Sequence, residues 1–210
     1  MAYTDFALET LKQQFGLNVQ EESGLFATIA PVTVSDLPRQ TLAENIPVAL
    51  DITTEKARSE FIIAPVLMEV RRQLHARISL FSGIEFNVDI AQGLHGVCDF
   101  LLSLSPLQLA IEAPVVVVVE AKNENIRQGI IQCIAEMVAV QQFNRQRHNA
   151  IHAVYGAVTT GNLWKFLRLI TTVVSVHSTE YHISQVELVV GMLVTMIREA
   201  MQHQAEQQER

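Results

Sequence analysis

Residues 97–122 read VCDFLLSLSPLQLAIEAPVVVVVEAK, and this stretch decides the fold. Two of its runs, Val97–Leu104 and Val115–Lys122, lack the alternation of polar and apolar residues that marks a strand with one wet face. Strands apolar on both sides belong in the middle of a sheet covered on both faces. Each run admits one acid, Asp99 in the first and Glu120 in the second. In an antiparallel pair, facing residue numbers share a constant sum. Pairing Val97 with Lys122 and Leu104 with Val115 sets Asp99 directly opposite Glu120. The matched lengths of the runs motivate this register, because the connection 105–114 is too long to fix it.

Outward from this pair, Ile78–Val88 reads as a third strand, and 55–76 before it as a helix that Pro65 either kinks or restarts. Downstream, Asn123 is placed to cap a helix over 125–147, with Ile126, Ile130, Ile134, Met137 and Val140 as its apolar stripe. Ala150–Thr159 and Leu163–Ile170 read as strands joined at Gly161-Asn162, with Val173–His177 as an edge strand. Ser184 and Glu187 have capping-box spacing before a closing helix striped by Val186, Val190, Leu193, Ile197 and Met201, which frays in the Gln-rich tail after Gln202. At the other end, 4–14 reads as a short helix closed by Gly16. Residues 17–53, with Gly24, Pro31, Pro38 and Pro47, read as loop with a hairpin. The expected fold class is α/β, a mixed sheet covered by helices, with 1–54 as a helix and loop-rich cover and 55–210 as the α/β domain.

A length of 210 residues suits one domain with appendages, and 49% hydrophobic residues suffice for a substantial core. Cys98 and Cys133 form no zinc-type spacing, which points to a reducing compartment. The start MAYTDFALETLKQQ lacks the basic-then-apolar pattern of a secretory signal. The longest apolar runs, Val115–Val119 and Leu188–Ile197, fall short of the ~20 residues a bilayer span needs. A cytoplasmic location is expected. A net charge of −7 argues against a general nucleic-acid coat, though not against a narrow basic cleft. Arg71, Arg72 and Arg77, and likewise Arg145 and Arg147, cluster at helix ends, where cations complement the dipole.

Opposed carboxylates on one sheet face lie about 5 Å apart at Cβ and repel. Among apolar neighbours that repulsion is costly unless a cation neutralises it. Carboxylate oxygens suit a hard ion, Mg²⁺ or Mn²⁺. Lys122, two residues beyond Glu120, shares its face by the strand period, and the Ala121 carbonyl between them is a further candidate ligand. An ammonium there can stabilise a phosphoryl transition state or assist an attacking water. The same three side chains can instead be an internal ion-pair group at a sheet end.

The residues Gly96-Val97-Cys98-Asp99-Phe100 and Val119-Glu120-Ala121-Lys122 resemble the PD-(D/E)XK nuclease family, which has the restriction-endonuclease-like fold. That family sets an acid on its second core strand and Glu-x-Lys at the end of its third. Its helix, three strands, helix, strand core matches 55–160, about half the chain. Ser59-Glu60, before Pro65-Val66-Leu67, looks like the acid many members carry on the first core helix. Gln132, flanked at helical spacing by Gln128 and Glu136, looks like the glutamine several branches carry after Glu-x-Lys. Cys98 stands where the motif's proline would be, and Glu136 where some branches have tyrosine. The resemblance implies Mg²⁺- or Mn²⁺-dependent hydrolysis of nucleic-acid phosphodiesters. Asp99, Glu120, the Ala121 carbonyl and Glu60 would hold the metal, and Asp99, Glu120, Lys122 and Gln132 would form the catalytic set. Nucleic acid is the implied partner, with DNA the leading candidate. Either Glu60 or Gln132 can equally be an ordinary helix-surface polar residue.

Other residues carry less. His148 and His152, and His177 and His182, read as surface histidines, since two ligands without a third make a weak metal signal. Cys98 and Cys133 read as core, and Trp164 as an aromatic anchoring its strand. No phosphate-loop, dinucleotide or serine-nucleophile motif is present. The apolar stripe of the closing helix, with the two active sites that duplex cleavage calls for, suggests a homodimer. The alternative function is a nuclease-like fold used as an interaction or structural subunit, its chemistry unused.

Overall fold

The structure, a computed structural model, describes residues 2–208 except 27 and 150. The chain forms an α/β fold around one mixed sheet. In chain order the main elements are α1 (Leu8–Phe15), β1 (Asn18–Glu22), α2 (Asp36–Ile52), α3 (Glu55–Arg58), a π-helical turn (Ser59–Ile63) and α4 (Ala64–Gln73). Then follow β2 (Ser79–Glu85), β3 (Val97–Ser103), β4 (Val115–Ala121), α5 (Ile126–Gln146), β5 (Val154–Thr159), β6 (Leu163–Ile170), β7 (Val173–His177), the short β8 (Tyr181–His182) and α6 (Val186–Gln208). The sheet order is β1-β7-β6-β5-β4-β3-β2, with β8 beside β6. The β4–β5 and β1–β7 pairs are parallel and the other pairs antiparallel.

The sheet has two apolar faces, as the runs in β3 and β4 require. On one face Phe100, Val117, Val119, Trp164 and Phe166 pack with Ile62, Val66 and Leu67 before and in α4, and with Val190 and Leu193 of α6. On the other, Leu101, Val118, Val158 and Leu169 meet Cys133, Ile134 and Met137 of α5 and Leu11 of α1. The apolar stripe of α6 is therefore spent inside the chain, and a homodimer has to use another surface. Among the described residues no helix is long and apolar enough to cross a membrane.

Helix α5 is fixed to the start of β4 by one side chain. Asn144, fully buried, accepts from the Val115 N–H at 2.9 Å and donates to the Val115 carbonyl at 2.7 Å. Asn144→Ala would strand both backbone groups, each costing about 1–3 kcal/mol when buried and unpaired. Chemical denaturation should show a loss of about 2–5 kcal/mol, far above that of an exposed-surface Asn→Ala.

Several expectations need correction. Residues 17–53 are not a loop with a hairpin: they hold β1, which pairs with β7 near the other end of the chain, and the 17-residue α2. Pro38 lies in the first turn of α2, where no intrahelical N–H is needed, and Pro47 is carried inside the helix. Of the two readings of Pro65 the restart holds: α4 starts at Ala64 after a π turn over Ser59–Ile63, with Pro65 in its first turn. Asn125, not Asn123, caps α5, accepting from the Gln128 N–H at 3.1 Å. Strand β5 begins at Val154, and position 150, where the expected strand started, lies outside the described residues. Strand β7 is not an edge, since β1 covers it. Ser184 and Glu187 form no capping box: His182 accepts from the Ser184 N–H, and Glu187 pairs with Arg39.

Candidate active site

The pairing of β3 with β4 brings the acids to one strand end. Phe100 pairs with Val119, Leu101 with Val118 and Leu102 with Val117, and the paired residues stop there, one short of Asp99 and Glu120, so the expected direct pairing of the two acids is not part of the ladder. At the far end a bulge intervenes, so that Ser103, not Leu104, faces Val115. Asp99 Oδ2 accepts the Ala121 N–H at 2.8 Å, which ties the first acid to the backbone between Glu120 and Lys122. Lys122, one residue past β4, reaches back to put its Nζ 2.5 Å from Glu120 Oε1. That contact is an ion pair without hydrogen-bond alignment, since among the described residues neither oxygen of the buried Glu120 carboxyl has a hydrogen-bonding partner.

Helix α5 completes the group from below. Glu136 is fully buried and accepts from Gln132 Nε2 at 3.0 Å through Oε1, while Oε2 has no hydrogen-bond partner among the described residues. Gln132 therefore serves Glu136, which in turn stands beside Glu120. Gly129 makes room for the lysine: a Cβ there would lie 2.8 Å from Lys122 Cγ and 2.7 Å from Val158 Cγ1. Both gaps are far inside van der Waals contact, so any side chain at 129 would displace the stem of Lys122.

Glu60 lies on the rim of a cleft of about 250 Å³ that Asp99 also lines. Its carboxylate pairs with Lys56 at 2.8 Å and is exposed. Glu55, in the first turn of α3, lines the same cleft and acts on the charge of Lys122. The sequence reading passed over Glu55, because nothing local separates an acid following the N-cap Thr54 from any other first-turn acid. Gln128 is exposed and joins none of these contacts among the described residues. Of the histidines read as surface residues, His177 is buried, between the Glu22 carbonyl and the Tyr181 hydroxyl. Cys98 and Cys133 are buried free thiols, and Trp164 is buried with its indole N–H on the Gly161 carbonyl.

No protein-family model matches the chain, and no curated protein matches its sequence. Its chemistry has to be read from the site alone.

The electrostatics of the group follow from burial and crowding. Burial, then the neighbouring Glu136 and Asp99 carboxyls, push Glu120 far above the ordinary carboxylate range. Burial also raises Glu136 strongly and Asp99 more modestly, the latter against the Ala121 N–H. Burial works to lower Lys122, and the adjacent Glu120 more than offsets it. Two buried carboxyls, Glu120 and Glu136, and the half-buried Asp99 crowd one ammonium, so burial and mutual repulsion favour holding a proton within the group rather than on one assigned residue. Among the described residues no three or more His, Cys, Asp and Glu side chains stand in ready geometry for a metal. The fit to a hard ion rests instead on the donor chemistry: a Glu120 carboxyl with no hydrogen bond among the described residues, Asp99 at the neighbouring strand end, and oxygen donors throughout.

A pH dependence follows. Carboxyls raised in the native state bind more protons than in the unfolded chain from about 4.5 up to their raised values, so metal-free stability falls as pH rises through that window. The metal-free melting temperature should be higher at about pH 6 than at about pH 8. Glu120→Gln, which removes one titrating carboxyl, should flatten that dependence; equal slopes in the two proteins would contradict the assignment.

Proposed function

We propose that this chain is a metal-dependent nuclease of the PD-(D/E)XK type, hydrolysing nucleic-acid phosphodiesters. The observation that carries the reading is the convergence of Asp99, Glu120 and Lys122 at one end of two central strands, with Glu120 unsatisfied by hydrogen bonds. The succession α4, β2, β3, β4, α5, β5 supports a restriction-endonuclease-like core.

Asp99, Glu120 and the Ala121 carbonyl, with Glu60 on the rim of the same cleft, would hold a divalent Mg²⁺ or Mn²⁺, which would supply Lewis acidity when bound. The remaining work falls to the chain. Lys122 presents an ammonium that orients a water or offsets the charge growing on the phosphoryl oxygens. Glu120 holds that ammonium at the strand end, and Gly129 gives its stem room. Gln132 acts one step back, fixing Glu136 under Glu120. Its expected role beside Lys122 becomes a positioning role through these carboxyls.

Incubation of the protein with duplex DNA, single-stranded DNA and RNA tests the reading. Cleavage of at least one should require Mg²⁺ or Mn²⁺, stop with a chelator, and disappear in Glu120→Gln. If no substrate is cut, the second reading takes over: a nuclease-like interaction subunit, favoured by the net charge of −7 and by a Lys122–Glu120 pair that already partly neutralises the site.

A further inference from the structure

The other end of the sheet carries a second feature, unrelated to the carboxylates. A cleft of about 440 Å³ opens where the last turn of α5, the approach to β5, the β6–β7 turn and the C-terminal part of α6 meet. That volume is in the range of small-molecule sites. Arg145, Asn149, His152 and His203 bring nitrogen donors to it, and Ile151 and Ile170 give it an apolar wall. The imidazoles of His152 and His203 stand together, centroids 4.8 Å apart and planes 36° from parallel.

Charge decides what such a cleft accepts. The chain has 22 acidic and 15 basic residues, yet no acidic side chain is among the described residues lining this cleft. Arg145 makes no ion pair among the described residues. As a last-turn cation it complements the α5 dipole. That role needs neither a concave wall nor two imidazoles beside it. A transition metal fits less well: Arg145 places a fixed positive charge in the cleft, and the carboxylate paired with His203, that of Glu206, stands 3.8 Å from its Nδ1 and is 69% exposed.

We propose that this cleft binds an oxyanion, the phosphate or carboxylate of a small molecule. Its oxygens lie against the Arg145 fork and the two imidazoles, and its apolar part lies on Ile151 and Ile170. The proposal is independent of the nuclease reading, because the carboxylate site lies at the opposite end of β4 and β5.

The test is thermal unfolding and calorimetry with inorganic phosphate and, separately, acetate, against chloride at equal ionic strength. One of the two should raise the melting temperature saturably, by about 5–10 °C at 100-fold excess over Kd for a chain of this size. Which one does so identifies the anion class. Arg145→Ala and His203→Ala, both changes at the surface, should each weaken binding at least about tenfold by removing a charge-assisted contact. Lys122→Ala should leave it intact. Absence of any saturable shift, or a shift that survives Arg145→Ala, would overturn the proposal. So would stabilisation by Zn²⁺ that is lost in His203→Ala and kept in Arg145→Ala, since that outcome makes the cleft a metal site.

Discussion

Lys122→Ala should abolish metal-dependent cleavage of nucleic acid while leaving the metal-induced rise in melting temperature in place. The two readouts separate because the ammonium and the carboxylates do different work. On the proposed mechanism the carboxylate oxygens would hold the ion, whereas the ammonium would act on water or on the charge that develops in the transition state. Removing a group that stabilises such charge costs about 10²–10³-fold in turnover. The lysine would also compete with the ion for Glu120, since its Nζ lies 2.5 Å from Oε1. Metal affinity should therefore hold or improve in the variant. A Lys122→Ala protein that cuts at the wild-type rate would remove Lys122 from the mechanism.

Mg²⁺ or Mn²⁺ should stabilise the wild type strongly, and Asp99→Ala should erase the effect. Binding only to the native state adds about 2.7 kcal/mol at 100-fold excess over Kd, or about 5–10 °C for a chain of this size. The metal-free Asp99→Ala protein should melt no lower than wild type. Its lost hydrogen bond to the Ala121 N–H is offset by relief of repulsion with the buried Glu120. A metal-free variant that melts well below wild type would show that Asp99 is chiefly a backbone cap.

The central strands β3 and β4 and their antiparallel pairing were legible because burial on both faces writes itself as unbroken apolar runs. The bulge near Ser103 was not legible: an extra valine in a run of five leaves no trace in the pattern. Helix α2 was hidden by Pro38 and Pro47, which the structure accommodates in the first turn and in the interior. Strand β1, the polar NVQEE, pairs with residues more than 150 positions away, a contact no local pattern encodes. At the site, Asp99, Glu120 and Lys122 could be named from two strands. Glu55 and the space at Gly129 arise from how α3 and α5 pack over the strand ends. Glu136 was visible as an acid in the apolar stretch IIQCIAEMVAV, yet its place beside Glu120 follows only from docking α5 on the sheet.

The most direct test of the central claim is a calorimetric titration of the chelator-treated protein with Mn²⁺, beside Asp99→Ala. The wild type should bind at least one ion per chain and release protons as it does so, because the ion displaces those held by the raised carboxyls. Asp99→Ala should show no such binding. A wild type that takes up no Mn²⁺, or an Asp99→Ala protein that binds it equally well, would contradict a metal site at Asp99 and Glu120.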